Sequence, residues 1–178
     1  MNKILFWLAV TGWVLALIVH ILSLVGFDVA EIIPFIWILH IGIFVVWIPA
    51  ILELRKSKEL KTFQSSGRIT IMNPITFFTI IGKNAPKWMI VVAIGGICYA
   101  FFNFLFFMFS DDGTPTIQNG HYVLQNHGQW VKDISAQQYH RYKTNTLRGF
   151  SGHWIAFYGV AMLVLFPSAH THSQSTRI

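Results

Sequence analysis

The chain has 178 residues and a formal net charge of +6, yet only 11% of its residues are charged, while 54% are hydrophobic and 16% aromatic. Soluble domains usually carry about 25% charged residues, so a free-standing soluble globule is a poor fit. The Lys and Arg excess flanks apolar runs, which points to lipid phosphate and membrane orientation and away from nucleic acid.

Four apolar runs contain no charge: 4–25, "ILFWLAVTGWVLALIVHILSLV", then 32–52, 88–110 and 149–167. A helix needs roughly 20 largely apolar residues to cross a bilayer, and the first three runs meet that length. The fourth is shorter and opens with Gly149, Ser151, Gly152 and His153. It spans if its upper turn lies among the headgroups. The first run reads as a retained helix: Lys3 offers a small n-region, but the apolar stretch is too long for a signal peptide and no A-x-A-like site follows. The predicted fold is an all-α integral membrane protein. Four transmembrane helices form a compact bundle, with a small outward-facing α/β cap between the third and fourth. The whole chain, 1–178, makes one polytopic domain.

The first connection, 26–31, carries Asp28 and Glu31 and no Lys or Arg. The second, 53–87, carries Arg55, Lys56, Lys58, Lys61, Arg68, Lys83 and Lys87 against Glu53 and Glu59. The positive-inside rule makes that amphiphilic connection cytoplasmic. Both termini then lie inside, and 111–148 faces outward. Compact loops without a separate targeting segment fit a bacterial plasma membrane. Within 53–87, "ELRKSKELKTF" is expected to continue the second helix and "SSGR" to break it. In "MNPITFFTIIGK", Asn73 is a candidate N-cap, Pro74 suits the first helical position and Gly82 a stop, predicting a short helix lying in the interface.

In 111–148, "NG" at 119–120 predicts a tight turn between "TPTI" and "HYVL". "NHG" offers a second turn and "QWVKDI" a third strand. A sheet this small is marginal alone, and Tyr122, Trp130 and nearby helix ends are expected to complete its apolar face. Ser135 with Gln138 forms a capping-box pattern. It opens a helix over "AQQYHRYKTNTL" that leads into "RGFSGHW", beginning at Arg148.

Gly12 with Ala16, Gly96 with Ala100 and Gly152 with Ala156 are small-xxx-small pairs that let backbones approach in lipid. Trp7, Trp47 and Trp88 suit the inner interface; Trp37 and Trp154 suit the outer one. The six phenylalanines between Phe101 and Phe109 read as packing. Cys98, the single cysteine, forms no internal disulfide and reads as a buried structural thiol.

The chemical clue is positional. At 1.5 Å per residue, His20 lies about 7.5 Å, His40 about 12 Å and His153 about 6 Å below the outer ends of their runs. All three occupy the outer half. Ionisable residues in membranes face the bundle interior or a cavity, where imidazoles form hydrogen bonds or ligate haem or a transition metal. Under a haem reading, Arg148 meets a propionate at the rim. His121, His127 and His140 are further metal candidates, able to assemble above His153 with Asp111, Asp112 or Asp133. The simpler reading makes all of these separately satisfied or exposed, with no cofactor. No Walker loop, HExxH, GxSxG or dinucleotide fingerprint is present. Ser151 and His153 lack the orienting acid of a triad. The favoured reading is a small, non-enzymatic membrane component for accessory, assembly or sensing duties. It would act in the lipid bilayer with a membrane-protein partner or as a homo-oligomer, and without nucleic acid. A histidine-ligated haem or quinone-linked redox protein and a transition-metal-binding protein are the alternatives.

Overall fold

The computed structural model describes residues 3–56, 58, 61, 74–110 and 113–167. Helix α1 runs Lys3–Leu24, followed by the one-turn α2, Val29–Ile32. Asp28 caps α2 by accepting a hydrogen bond from the Ala30 N–H at 3.1 Å. A 3-10 turn over Pro34–Trp37 leads into α3, Ile38–Leu54. The chain turns at Arg55 and Lys56, so the expected extension of this helix is interrupted there. The "SSGR" break lies outside the described residues. Helix α4, Pro74–Ile81, begins at the proline and ends before Gly82, as its sequence predicts; the candidate cap Asn73 is outside the described residues. Phe78 of α4 is buried in the main core. Helix α5 covers Lys87–Ser110 and α6 covers Ala136–Val164.

Helix α6 is the axis of the molecule. The other helices lie around it, and the contacts give their directions. Along α1, Phe6 meets Phe166, Trp13 lies against Gly159 and His20 reaches Ser151, so α1 and α6 are antiparallel. Along α5, Val92 lies by Gly159, Gly96 by Ala156 and Phe107 by Gly149, which is again antiparallel. Helix α3 runs the other way: His40 meets Trp154, and the Trp47 indole donates to the Phe157 carbonyl at 2.9 Å. The four long helices therefore alternate in direction along the chain, which leaves α3 parallel to α6 where the two meet.

Small residues make α6 the helix that others approach. Gly149, Ser151, Gly152, Ala156 and Ala161 are all buried along it, and a Cβ on Gly152 would overlap the Asn103 amide of α5. Meanwhile α1, α3 and α5 turn large apolar side chains outward, among them Ile18, Ile41, Phe102 and Phe109. Polar inside and apolar outside is the pattern that lipid selects. By length and composition, Lys3–Leu24, Pro34–Leu54 and Lys87–Ser110 can each cross a membrane. Helix α6 is not among these; Arg141, Lys143 and Arg148 fill its first half. Its 29 residues span about 43 Å, more than the roughly 30 Å of a hydrocarbon core.

The sheet is an antiparallel meander of β1 (Thr114–Gln118), β2 (His121–Asn126) and β3 (Gln129–Asp133). Both connections are two-residue turns with positive φ at each position: Asn119 and Gly120, then His127 and Gly128. That is the backbone a tight hairpin needs, and glycine adopts it without penalty. Leu124 pairs with Lys132 but Gln125 with Trp130, so Val131 bulges out of register. Leu124, Ile134 and Tyr142 form the small core, flanked by Tyr122 and Tyr139. Two of these come from α6, and its capping box at Ser135 and Gln138 is present as expected. Trp130 takes no part. It is 59% exposed, and its indole donates to Asp133 instead.

Three further expectations are corrected. The cap helix and the fourth apolar run are one helix, because Gly149 and Gly152 serve close packing against Phe107 and Asn103 and do not break it. Trp154 is fully buried, facing α3, and is no interface anchor. Cys98 is exposed on α5.

Candidate functional site

The polar side chains of the bundle gather at the level where α6 passes from cap to apolar core. His20 and Ser23 come from α1, Tyr99 and Asn103 from α5, and Arg148 and Ser151 from α6. His20, Ser23, Asn103 and Ser151 are buried, which in apolar surroundings is tolerable only when hydrogen bonds are made.

They are made. The Asn103 amide donates to the carbonyls of Arg148 and Gly149 at 3.1 and 3.2 Å. Gly152 leaves room for that amide. Ser23 donates to the His20 carbonyl at 2.7 Å. Ser151 donates to the Arg148 carbonyl at 3.2 Å, while its oxygen lies 2.9 Å from His20 Nδ1. With the serine proton so used, Nδ1 carries the imidazole proton and donates to Ser151. Nε2 then accepts from the Tyr99 hydroxyl at 2.5 Å. One neutral tautomer satisfies the whole chain from Tyr99 through His20 and Ser151 to a backbone carbonyl. It links α5, α1 and α6.

His40 and His153 are held differently. The Trp154 indole donates to His40 Nδ1 at 3.1 Å. The proton of a neutral His40 therefore sits on Nε2, and neither nitrogen offers a free lone pair. His153 donates from Nδ1 to the Gly149 carbonyl one turn back, at 2.8 Å, and packs edge-on against Phe104. Its Nε2 lone pair remains. Orienting one ring nitrogen through a carbonyl is how ligating histidines are prepared, and His153 alone of the three has this arrangement.

His20 and His40 thus meet α6 at Ser151 and Trp154, close to His153 on that helix, but the three rings serve separate contacts. Among the described residues, one group of three metal-competent side chains brings its ligand atoms within 4.8 Å of one another: Asp28, Glu31 and His140. Glu31 Oε2 lies 3.4 Å from His140 Nδ1, both well exposed, which ties the connection between α1 and α3 to the first turns of α6. The sequence offered His140 as a candidate but not these carboxylates, whose proximity depends on a tertiary contact between segments far apart in sequence. His121 opens β2 and His127 sits in the second tight turn, both exposed and outside that group. Asp111 and Asp112 lie outside the described residues.

Arg148 is the outlier. Its carbonyl is well satisfied, yet its side-chain Nε and Nη2 are buried without a hydrogen-bond partner. Its guanidinium carbon stands 4.5 Å from the Phe106 ring centroid, and its charge acts on both His20 and Tyr99. No family model matches the chain, and neither a curated protein nor a solved structure matches it significantly.

Proposed function

We propose that the chain is a four-crossing membrane protein, with both termini cytoplasmic and the three-stranded cap outside. It serves as a non-enzymatic accessory, assembly or sensing component that acts through other membrane components. The observation that supports this reading is the use of the polar side chains. His20 links three helices, His40 and Trp154 link α3 to α6, and Asn103 links α5 to α6. These groups hold helices in register, and no nucleophile among the described residues stands against a base with an orienting acid behind it. The length of α6 suits a rod that carries the cap clear of the bilayer while its inner half crosses.

The test is purification of the full chain from native membranes under mild detergent, with chemical cross-linking before extraction. The expected result is a reproducible stoichiometric membrane-protein partner or a homo-oligomer, without Soret absorption and without stoichiometric transition metal. A monomer with a Soret band would replace this reading with the haem one, and a stoichiometric metal with the metal-binding one.

A further inference from the structure

Arginine is rarely left idle inside a bundle. Removing a charged group from water is costly unless partners replace the lost hydration. Among the described residues, Arg148 has no carboxylate partner. Among the described residues its surroundings are neutral: the face of Phe106, the hydroxyl of Tyr99 and an imidazole whose two nitrogens are already engaged. The two buried, unpartnered atoms are Nε and Nη2. They are the adjacent donors along one edge of the guanidinium, and their N–H bonds point the same way. That edge binds a carboxylate or phosphate through two parallel hydrogen bonds.

We propose that Arg148 is the receptor of an oxyanion-binding site in the outer part of the bundle, gripping a phosphate or carboxylate group through its Nε–Nη2 edge. Phe106 positions the guanidinium by stacking on its face, leaving the edge as the recognition surface. Arg148 as a whole is only partly buried, and its neighbours Phe106 and Tyr99 are exposed on α5. The Nε–Nη2 edge itself is closed over, so an oxyanion reaches it only as the exposed Phe106 and Tyr99 rings move aside, from a lipid headgroup or as a free anion. His20 and Ser151 remain occupied with each other and hold the α6 backbone in place beneath. The site goes beyond the accessory reading and does not depend on it.

The test uses the full chain in an uncharged detergent. One arm follows thermal unfolding against inorganic phosphate, with chloride at matched ionic strength as the control. The other reconstitutes the chain in phosphatidylglycerol vesicles, re-extracts it and counts retained lipid by native mass spectrometry. Arg148→Lys keeps the charge and most of the stem but loses the paired edge. Losing one charge-assisted hydrogen bond weakens binding by about tenfold or more. A phosphate-dependent rise in midpoint that Arg148→Lys weakens by that factor identifies a free-anion site. Retained lipid that Arg148→Lys and Arg148→Gln lose identifies a headgroup site. As a readout on the unsubstituted protein, phenylglyoxal modification of Arg148 should be suppressed by whichever probe binds. The proposal is overturned if the protein shows neither a phosphate shift nor retained lipid, if the variants bind equally well, or if neither probe protects Arg148.

Discussion

Replacing Gly12 with alanine should destabilise the protein, although the same change at Gly95 should stabilise it. In a helix interior alanine is favoured over glycine by about 0.5–1 kcal/mol. Around Gly95 nothing lies within 4 Å of a new Cβ, so that gain is realised in full. At Gly12 the new Cβ would overlap the Tyr158 ring. The ring has nowhere to retreat. Its hydroxyl donates to the buried Leu39 carbonyl at 2.8 Å, and Gly42 of α3 closes against the same oxygen. Overpacking of this kind costs about 1–3 kcal/mol, and the pinned ring puts Gly12 near the upper end. The net expectation is a loss of about 1–2 kcal/mol for Gly12→Ala, hence a gap of roughly 2–3 kcal/mol between two chemically identical substitutions. Unfolding in mixed micelles with increasing dodecyl sulfate, followed by tryptophan fluorescence, measures both. In a Tyr158→Leu background the Gly12→Ala cost should vanish, because the overlapping ring is gone. Equal stability of the two alanine variants, or a cost that survives in that background, would refute the wedge between α1, α3 and α6.

The same titration should show Gly152→Ala destabilised by about 2–3 kcal/mol, since the new Cβ displaces the Asn103 amide and breaks its two hydrogen bonds to α6; a neutral result would contradict that contact. Ser151→Ala leaves the His20 Nδ1–H without an acceptor and should cost about 1 kcal/mol, with Ser151→Thr milder. In the cap, Gly120→Ala meets no neighbour but sits at φ +79°, so backbone strain alone should cost about 1 kcal/mol. Limited proteolysis should then cut the hairpin faster while α1 and α5 keep their protection. Unchanged cleavage would mean the turn tolerates a side chain.

Much of the architecture was legible because local chemistry and tertiary structure agree. The uncharged runs at 4–25 and 88–110 became α1 and α5 within a residue or so at each end. Asn119–Gly120 turned as its residues require, and Ser135 with Gln138 capped α6. The misreadings occur where residues answer to distant partners. Gly149 was expected to open a separate membrane helix after the cap helix, yet it and Gly152 lie inside one continuous helix, against Phe107 and Asn103. Trp154 has the composition of an interface anchor, but His40 supplies its indole with an acceptor inside the bundle. Of the candidate site, the shared depth of His20, His40 and His153 was readable from counting residues. Which nitrogen meets which partner was not, since rotation about the helix axis is set by packing. Arg148 was expected at the rim, against a propionate under the haem reading; its orphaned edge over Phe106 appears only with the fold.

The central claim, that α6 crosses the membrane within a ring of three apolar helices, is tested most directly by the sidedness of the C-terminus. In a Cys98→Ala background, Asn119→Cys reports the cap turn and Ser175→Cys the C-terminal end of the chain. A membrane-impermeant maleimide applied to intact cells should label position 119 at once and position 175 only after permeabilisation. Labelling of both from outside would mean three crossings, with α6 leaving the chain's end on the same side as the cap.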